Sequence, residues 1–292
     1  MIRTAGFNAR AMAAIIAFCT LFAALPLLAQ IAEGDQHYAR RAEGASGAHA
    51  KPDEINLAIA AYQRAIAKND ADIEAHARLL RAYRYKGAYV DATIDGKKAV
   101  YSDAKNAGTK ALAAVNRLLT ARGVKPAGSE KSVAEAARNL PGAADVYLWD
   151  AVNWGEWALV YGKLAAVRQG AADRIRREAT IAHLANPALE MGAPARVLGR
   201  LHDQTPHIPF LTGWASSSEA VRFLKESLRH DPANKLTLVF LAEAMVSNDS
   251  KTRPQAIQLL HTAVTTPLHP DYTVEDAAAV QDAKALLKKW GA

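Results

Sequence analysis

Small residues recur at fixed spacing along this chain, and that recurrence constrains its fold more than any other feature. Ala58, Tyr62 and Ala65 are followed 34 positions later by Ala92, Gly96 and Ala99. Near the C-terminus, Ala220, Leu224 and Ser227 recur 36 positions on as Ala256, Leu260 and Ala263. A repeat of ~34 residues has room for two antiparallel helices, with small residues where the two cross. Each unit leaves an apolar face for the next, so stacked units build one continuous core. No window alternates apolar and polar residues long enough for a strand. The expectation is an all-α array of antiparallel helix pairs, an α-solenoid, with Ala58, Ala92, Ala220 and Ala256 at the crossings.

The spacing and the helix-turn-helix grammar are those of tetratricopeptide (TPR) units. Residues 53–122 read as N-terminal helix pairs. His76, Leu79, Leu80 and Tyr83 share one helix face, and Gly87 is expected to end that helix. Its partner is expected from Tyr89 to Ser102, and another amphipathic helix from Lys105 to Arg122. Gly123, Pro126, Gly128, Pro141 and Gly142 make 123–142 a connector between two halves, with a short helix from Ser129 to Asn139. Residues 143–292 read as C-terminal pairs: a long helix over 143–168, then 171–185, then one that starts at Pro194 and reaches His202. Helices at 217–230, 235–247, 253–265 and 273–290 complete the array. Pro206, Pro209 and Gly213 forbid a regular helix over 203–217, yet Ile208, Phe210, Leu211 and Trp214 there are large and apolar. Irregular loops of this length are often functional.

Half of the residues are apolar and 22% are charged, a composition able to bury a core. The formal net charge is +7. The charges alternate in sign along helices and no basic run is interleaved with aromatics, so nucleic acid is not an expected partner. Arg3 and Arg10, the apolar run Ala11–Leu25, Pro26 and then Leu27-Leu28-Ala29 read as a secretory signal over 1–29, cut after Ala29. An uncleaved anchor is the rival. Lipidation at Cys19, the only cysteine, is disfavoured because Phe18 precedes it. Residues 30–52 are polar and Gly/Ala-rich and read as a linker or weakly held helix. The expected location is the periplasm, with a mature chain that lacks disulfides.

The densest aromatic run is Tyr147 to Gly162. Tyr147, Trp154 and Tyr161 are seven apart and share a helix face with Trp157 and Asp150. Leu148, Val152 and Leu159 lie opposite. Two readings are open: the ridge packs between neighbouring helices, or it lines a pocket that the 206–214 loop closes on one side. In the pocket reading Asp150 and Asn153 orient a ligand's polar end and Arg200 meets a carboxylate. Gly155, unfavourable within a helix, reads as a site of close helix packing. His202, His207 and Asp203 cluster near the loop. Their spacing matches no zinc site, and no nucleophile motif accompanies them. No cofactor, metal or catalytic residue is expected, and the chain reads as a non-enzyme.

With YLWDAVNWGEW and APARVLGRLHDQTPHIPFLTGW set among such helix pairs, the chain resembles the T component associated with tripartite ATP-independent periplasmic (TRAP) transporters. The matching positions are Tyr147, Trp149, Asn153, Trp154 and Trp157, then Leu198, Gly199, Pro206, Pro209 and Gly213. The resemblance implies an exported helical protein with an internal apolar cavity. It implies a periplasmic solute-binding protein as partner, self-association, and a small hydrophobic or organic-acid ligand. The candidate binding residues are therefore Tyr147, Trp149, Asp150, Asn153, Trp154, Trp157, Tyr161, Arg200, His202, Phe210 and Trp214. The alternative is a general envelope scaffold with no small-molecule role.

Overall fold

The starts of many helices are written in single side chains that satisfy otherwise unpaired backbone donors. Asp72 accepts from Ala75 N–H, Thr93 from Gly96, Ser129 from Ser132, Ser216 from Glu219 and Asn234 from Thr237. The computed structural model describes residues 30–208 and 212–292. The helices are α1 (30–39), α2 (Pro52–Lys68), α3 (Ile73–Tyr89), α4 (Ile94–Ala121), α5 (Glu130–Ala137) and α6 (Ala143–Tyr161). They continue as α7 (Lys163–Arg168), α8 (Ala171–Ala185), α9 (Leu189–Gln204), α10 (Ser217–His230), α11 (Lys235–Asn248), α12 (Arg253–Thr265) and α13 (Thr273–Trp290). Among the described residues there is no strand, only an isolated bridge between Ser46 and His49. The expected signal segment 1–29 lies outside the described residues. Among the described residues no helix is long and apolar enough to cross a membrane.

The protein is an all-α array of packed helix pairs, as the repeats predict. Successive helices pack as α2 on α3, α3 on α4, α9 on α10, α10 on α11 and α11 on α12. The C-terminal repeat is placed correctly. Ala220, Leu224, Ser227, Ala256, Leu260 and Ala263 are all fully buried. The N-terminal register is not: Ala58, Tyr62 and Ala65 are buried in α2, but Ala92 lies exposed in the turn before α4 and Ala99 is exposed. The buried stripe of α4 is Val100, Tyr101, Ala104, Gly108 and Ala111.

Several boundaries differ from the sequence reading, each for a packing reason. Gly87 does not end α3. It lies inside the helix because the ring of Tyr101 occupies the space a Cβ would fill. The two helices expected between Tyr89 and Arg122 are one, the 28-residue α4. The single helix expected over 143–168 breaks at Gly162, whose φ of 88° is open to glycine alone. Residues 123–142 do not separate two halves. Val133, Ala134, Ala137 and Leu140 join one core with Leu80, Val115, Val146, Leu148 and Ile181. Of the two readings of 30–52, a linker or a helix, residues 30–39 form the helix α1, which packs Ile31 against Ala65 and Ala75.

The array also closes on itself. Val274 and Ala278 of α13 pack with Ala50, Tyr85 and Tyr89 near the other end of the chain. Arg41 donates to Glu275 at 2.9 Å and to the backbone carbonyl of Asp271. Helices α1, α3, α6, α9, α11 and α13 face inward around the resulting hollow.

Candidate functional site: a central cavity lined by arginines and one face of the aromatic helix

The hollow encloses about 1660 Å³. Helix α6 supplies one wall with Asp145, Trp149, Val152, Gly155, Glu156 and Leu159. These positions share a face because 3, 4, 7, 11 and 14 residues bring an α-helix round to roughly the same side. Helix α3 supplies Arg78, Arg81, Arg84 and Tyr85, and α9 supplies Arg196 and Arg200.

The face of α6 that meets the cavity is therefore not the aromatic ridge. Trp154 and Trp157 are 6% exposed and pack with Tyr101, Ala151, Ile175, Ala179 and Leu198. Tyr147 is buried in the neighbouring core, and burial pushes its phenol up to about 12. Tyr161 stacks on Trp157 with ring centroids 4.7 Å apart, and its hydroxyl meets Ser102. The outer side of the ridge is capped by Lys105, whose ammonium lies 3.9 Å and 3.7 Å from the centroids of Trp154 and Trp157. Of the two readings of the ridge, packing between helices is the one the structure has.

Asp150 and Asn153 are also taken up by packing. Arg174 donates to Asp150 at 2.7 Å and pairs with Glu178 at 3.0 Å. Gly108 on α4 leaves the space that the Asp150 carboxylate occupies. Burial, and then the Asp150 charge, raise the Glu178 carboxyl well above its ordinary range. Two buried carboxyls thus share the one guanidinium of Arg174. Asn153 donates to the carbonyls of Leu80 at 3.0 Å and Trp149 at 2.8 Å. It thereby ties α6 to α3.

Around the irregular loop the candidates again serve structure. His202 stacks on Phe223 and accepts from Ser216 N–H through Nδ1. Burial lowers its proton affinity. Asp203 is held by Arg200 at 3.2 Å and by Gln204, not by His202. Trp214 donates to Asp173 at 3.2 Å. Phe210 lies outside the described residues. Pro206, Ile208 and Thr212, on either side of it, border the cavity. Among the described residues no three His, Cys, Asp or Glu side chains are grouped to hold a metal.

Of the candidates among the described residues, Trp149 and Arg200 line the hollow. Arg200 is already neutralised, with Glu243 at 2.7 Å and Asp203 at 3.2 Å. Gly155, read as a close-packing position, is the reverse: a Cβ there meets nothing within 4 Å.

The sequence reading missed Arg81, Arg84, Glu156, Glu190 and Arg196. Their signal was present as arginines at i, i+3 and i+6 on α3 and at i and i+4 on α9. Arg81 bonds Glu190 at 3.2 Å and lies 4.2 Å from the Tyr38 ring centroid. Glu190 and Met191 sit at φ of 45° and 57°, a left-handed backbone that costs a non-glycine residue free energy. Pairing with Arg81 and a bond from Tyr272 hold Glu190 there. Strain of this kind at a cavity wall is common where a protein binds something.

No protein-family model matches the chain, and no curated protein matches its sequence.

Proposed function

We propose that this chain is an exported, non-enzymatic, TPR-like accessory protein of TRAP-type transport. In this reading it engages a periplasmic solute-binding protein and holds a hydrophobic or organic-acid ligand in its central hollow. The observation that carries the reading is a cavity of about 1660 Å³ walled by apolar side chains and arginines. Proteins commonly hold organic ligands in apolar cavities with a few placed polar groups. Self-association fits such an accessory, and the sequence resemblance supplies the link to transport.

Gly155→Phe tests the ligand half directly. Open space at the Gly155 Cβ leaves room for a ring without disturbing the helix packing. The variant should keep its fold and lose binding of the apolar probe N-phenyl-1-naphthylamine. Probe binding by neither protein would remove the ligand from the reading. Cross-linking to the solute-binding protein in periplasmic extract tests the partner half.

A second reading, an envelope scaffold without a small-molecule role, draws on the exposed side chains beside the cavity. Leu159, Leu164 and Val167 are 74%, 65% and 62% exposed. Exposed apolar patches of this kind mark protein contacts. Under that reading Gly155→Phe leaves partner cross-linking intact and wild type binds no probe.

A further inference from the structure

Arg196 is the one inward-facing arginine on α9 that no carboxylate among the described residues neutralises. It donates to Thr237 Oγ1 at 3.2 Å. No other hydrogen bond of its guanidinium is present among the described residues, and Arg196 borders the cavity. The remaining inward arginines differ. Arg41 pairs with Glu275, Arg78 with Asp35 and Glu74, Arg81 with Glu190 and Arg200 with Glu243. Arg84 is shared between Tyr89, to which it donates at 2.6 Å, and Glu156 at 3.6 Å. Arg196 is half-buried; a partly desolvated cation without an anionic partner is costly, and a ligand that supplies the anion removes that cost. Burial first, and then the neighbouring Arg84 charge, push the Arg196 guanidinium down to about 10. It is still cationic at neutral pH.

The groups around Arg196 limit what that anion can be. Glu156, Glu190 and Asp231 also line the hollow. They would repel a phosphate dianion more strongly than a single negative charge. A guanidinium fork matches the two oxygens of a carboxylate. In the same hollow, Trp149, Val152 and Leu159 form an apolar lane on one face of α6. Val167 and Ile208, which are 62% and 44% exposed, also border the hollow. The volume exceeds the ~300–1,000 Å³ of ordinary small-molecule pockets, so the lane has room for a long apolar body.

We infer that the cavity takes an amphipathic monocarboxylate, its head on Arg196 beside Arg84 and its chain along Trp149, Val152 and Leu159. The inference rests on the cavity-binding reading above and specifies its ligand class.

The test displaces N-phenyl-1-naphthylamine from the full-length protein with dodecanoate, dodecanol and succinate. Dodecanoate should displace the probe at a concentration about tenfold or more below dodecanol, as one charge-assisted contact predicts. Succinate should displace it only weakly. Arg196→Met should raise the dodecanoate concentration needed by about tenfold or more and leave dodecanol unchanged. Equal potency of dodecanoate and dodecanol in wild type overturns the anion site and leaves the cavity reading standing. That comparison needs no variant, so misfolding of Arg196→Met cannot shield the inference. Succinate stronger than dodecanoate overturns the apolar lane. Failure of the probe, dodecanoate and dodecanol alike to bind wild type overturns both readings.

Discussion

Arg41 and Glu275 stand 234 positions apart in sequence and meet at 2.9 Å, joining the two ends of the helical array. The Arg41 side chain is 7% exposed and also lies 4.5 Å from the centroid of Tyr38. The closed ring, and with it the central hollow, depends on this contact and on the packing of Val274 beneath it.

Arg41→Met should leave the half-buried Glu275 without its partner and destabilise the protein by up to about 3 kcal/mol. Adding Glu275→Leu should recover much of the loss, since a buried ion pair is often replaceable by apolar groups. Urea denaturation of the two variants checks this. A double variant as unstable as the single one would place the loss elsewhere than in the unpaired charge.

Glu178 should make stability depend on pH. Burial, then Asp150, raise its carboxyl above the ordinary 4.5. The native state therefore holds this proton more tightly than the unfolded chain does. The contribution is complete below about pH 4.5 and is lost as pH rises through the native value. Glu178→Gln keeps the neutral shape and should gain stability relative to wild type between pH 5 and 8. Denaturation midpoints across that range measure the difference. A gap that does not change with pH would contradict the assignment.

Gly155→Ala should stabilise the protein by up to about 1 kcal/mol, because it adds helix propensity where the new methyl meets open space. Thermal unfolding reads the effect. A loss of stability would mean that the wall of α6 is closed at this point.

Ala220→Leu and Ala92→Leu separate the two ends of the repeat. Ala220 is fully buried and should overpack at a cost of about 1–3 kcal/mol. Ala92 is exposed and should change stability by less than about 0.5 kcal/mol. Equal effects in denaturation would overturn the register described for α4.

Trp154→Ala should cost about 3–5 kcal/mol, as expected of a large side chain removed from a packed core. Trp149→Ala, on the cavity wall, should cost less and should weaken binding of the naphthylamine probe. Unfolding and probe titrations on the pair report both properties.

Helix class, most helix positions and the C-terminal crossings at Ala220 and Ala256 were legible in the sequence. Each depends on spacing within one or two neighbouring segments, and local periodicity reports which face of a helix is apolar. Periodicity does not report what lies opposite that face. The ridge of Tyr147, Trp154 and Trp157 has the composition of a pocket wall and of a helix interface alike. Only the approach of α4 and α8 decides for the interface. Gly87 and Gly155 are both glycines inside helices. One is filled by a tyrosine from the next helix and the other borders empty space, a difference set by neighbours distant in sequence. The hollow is bounded where Arg41 reaches Glu275 and Val274 packs with Tyr85 and Tyr89, residues far apart in sequence. Sequence alone determined the helical class, most helix positions and the C-terminal pairing; the closure of the ring, and therefore which side chains face its centre, was decided by long-range contacts that no local pattern encodes.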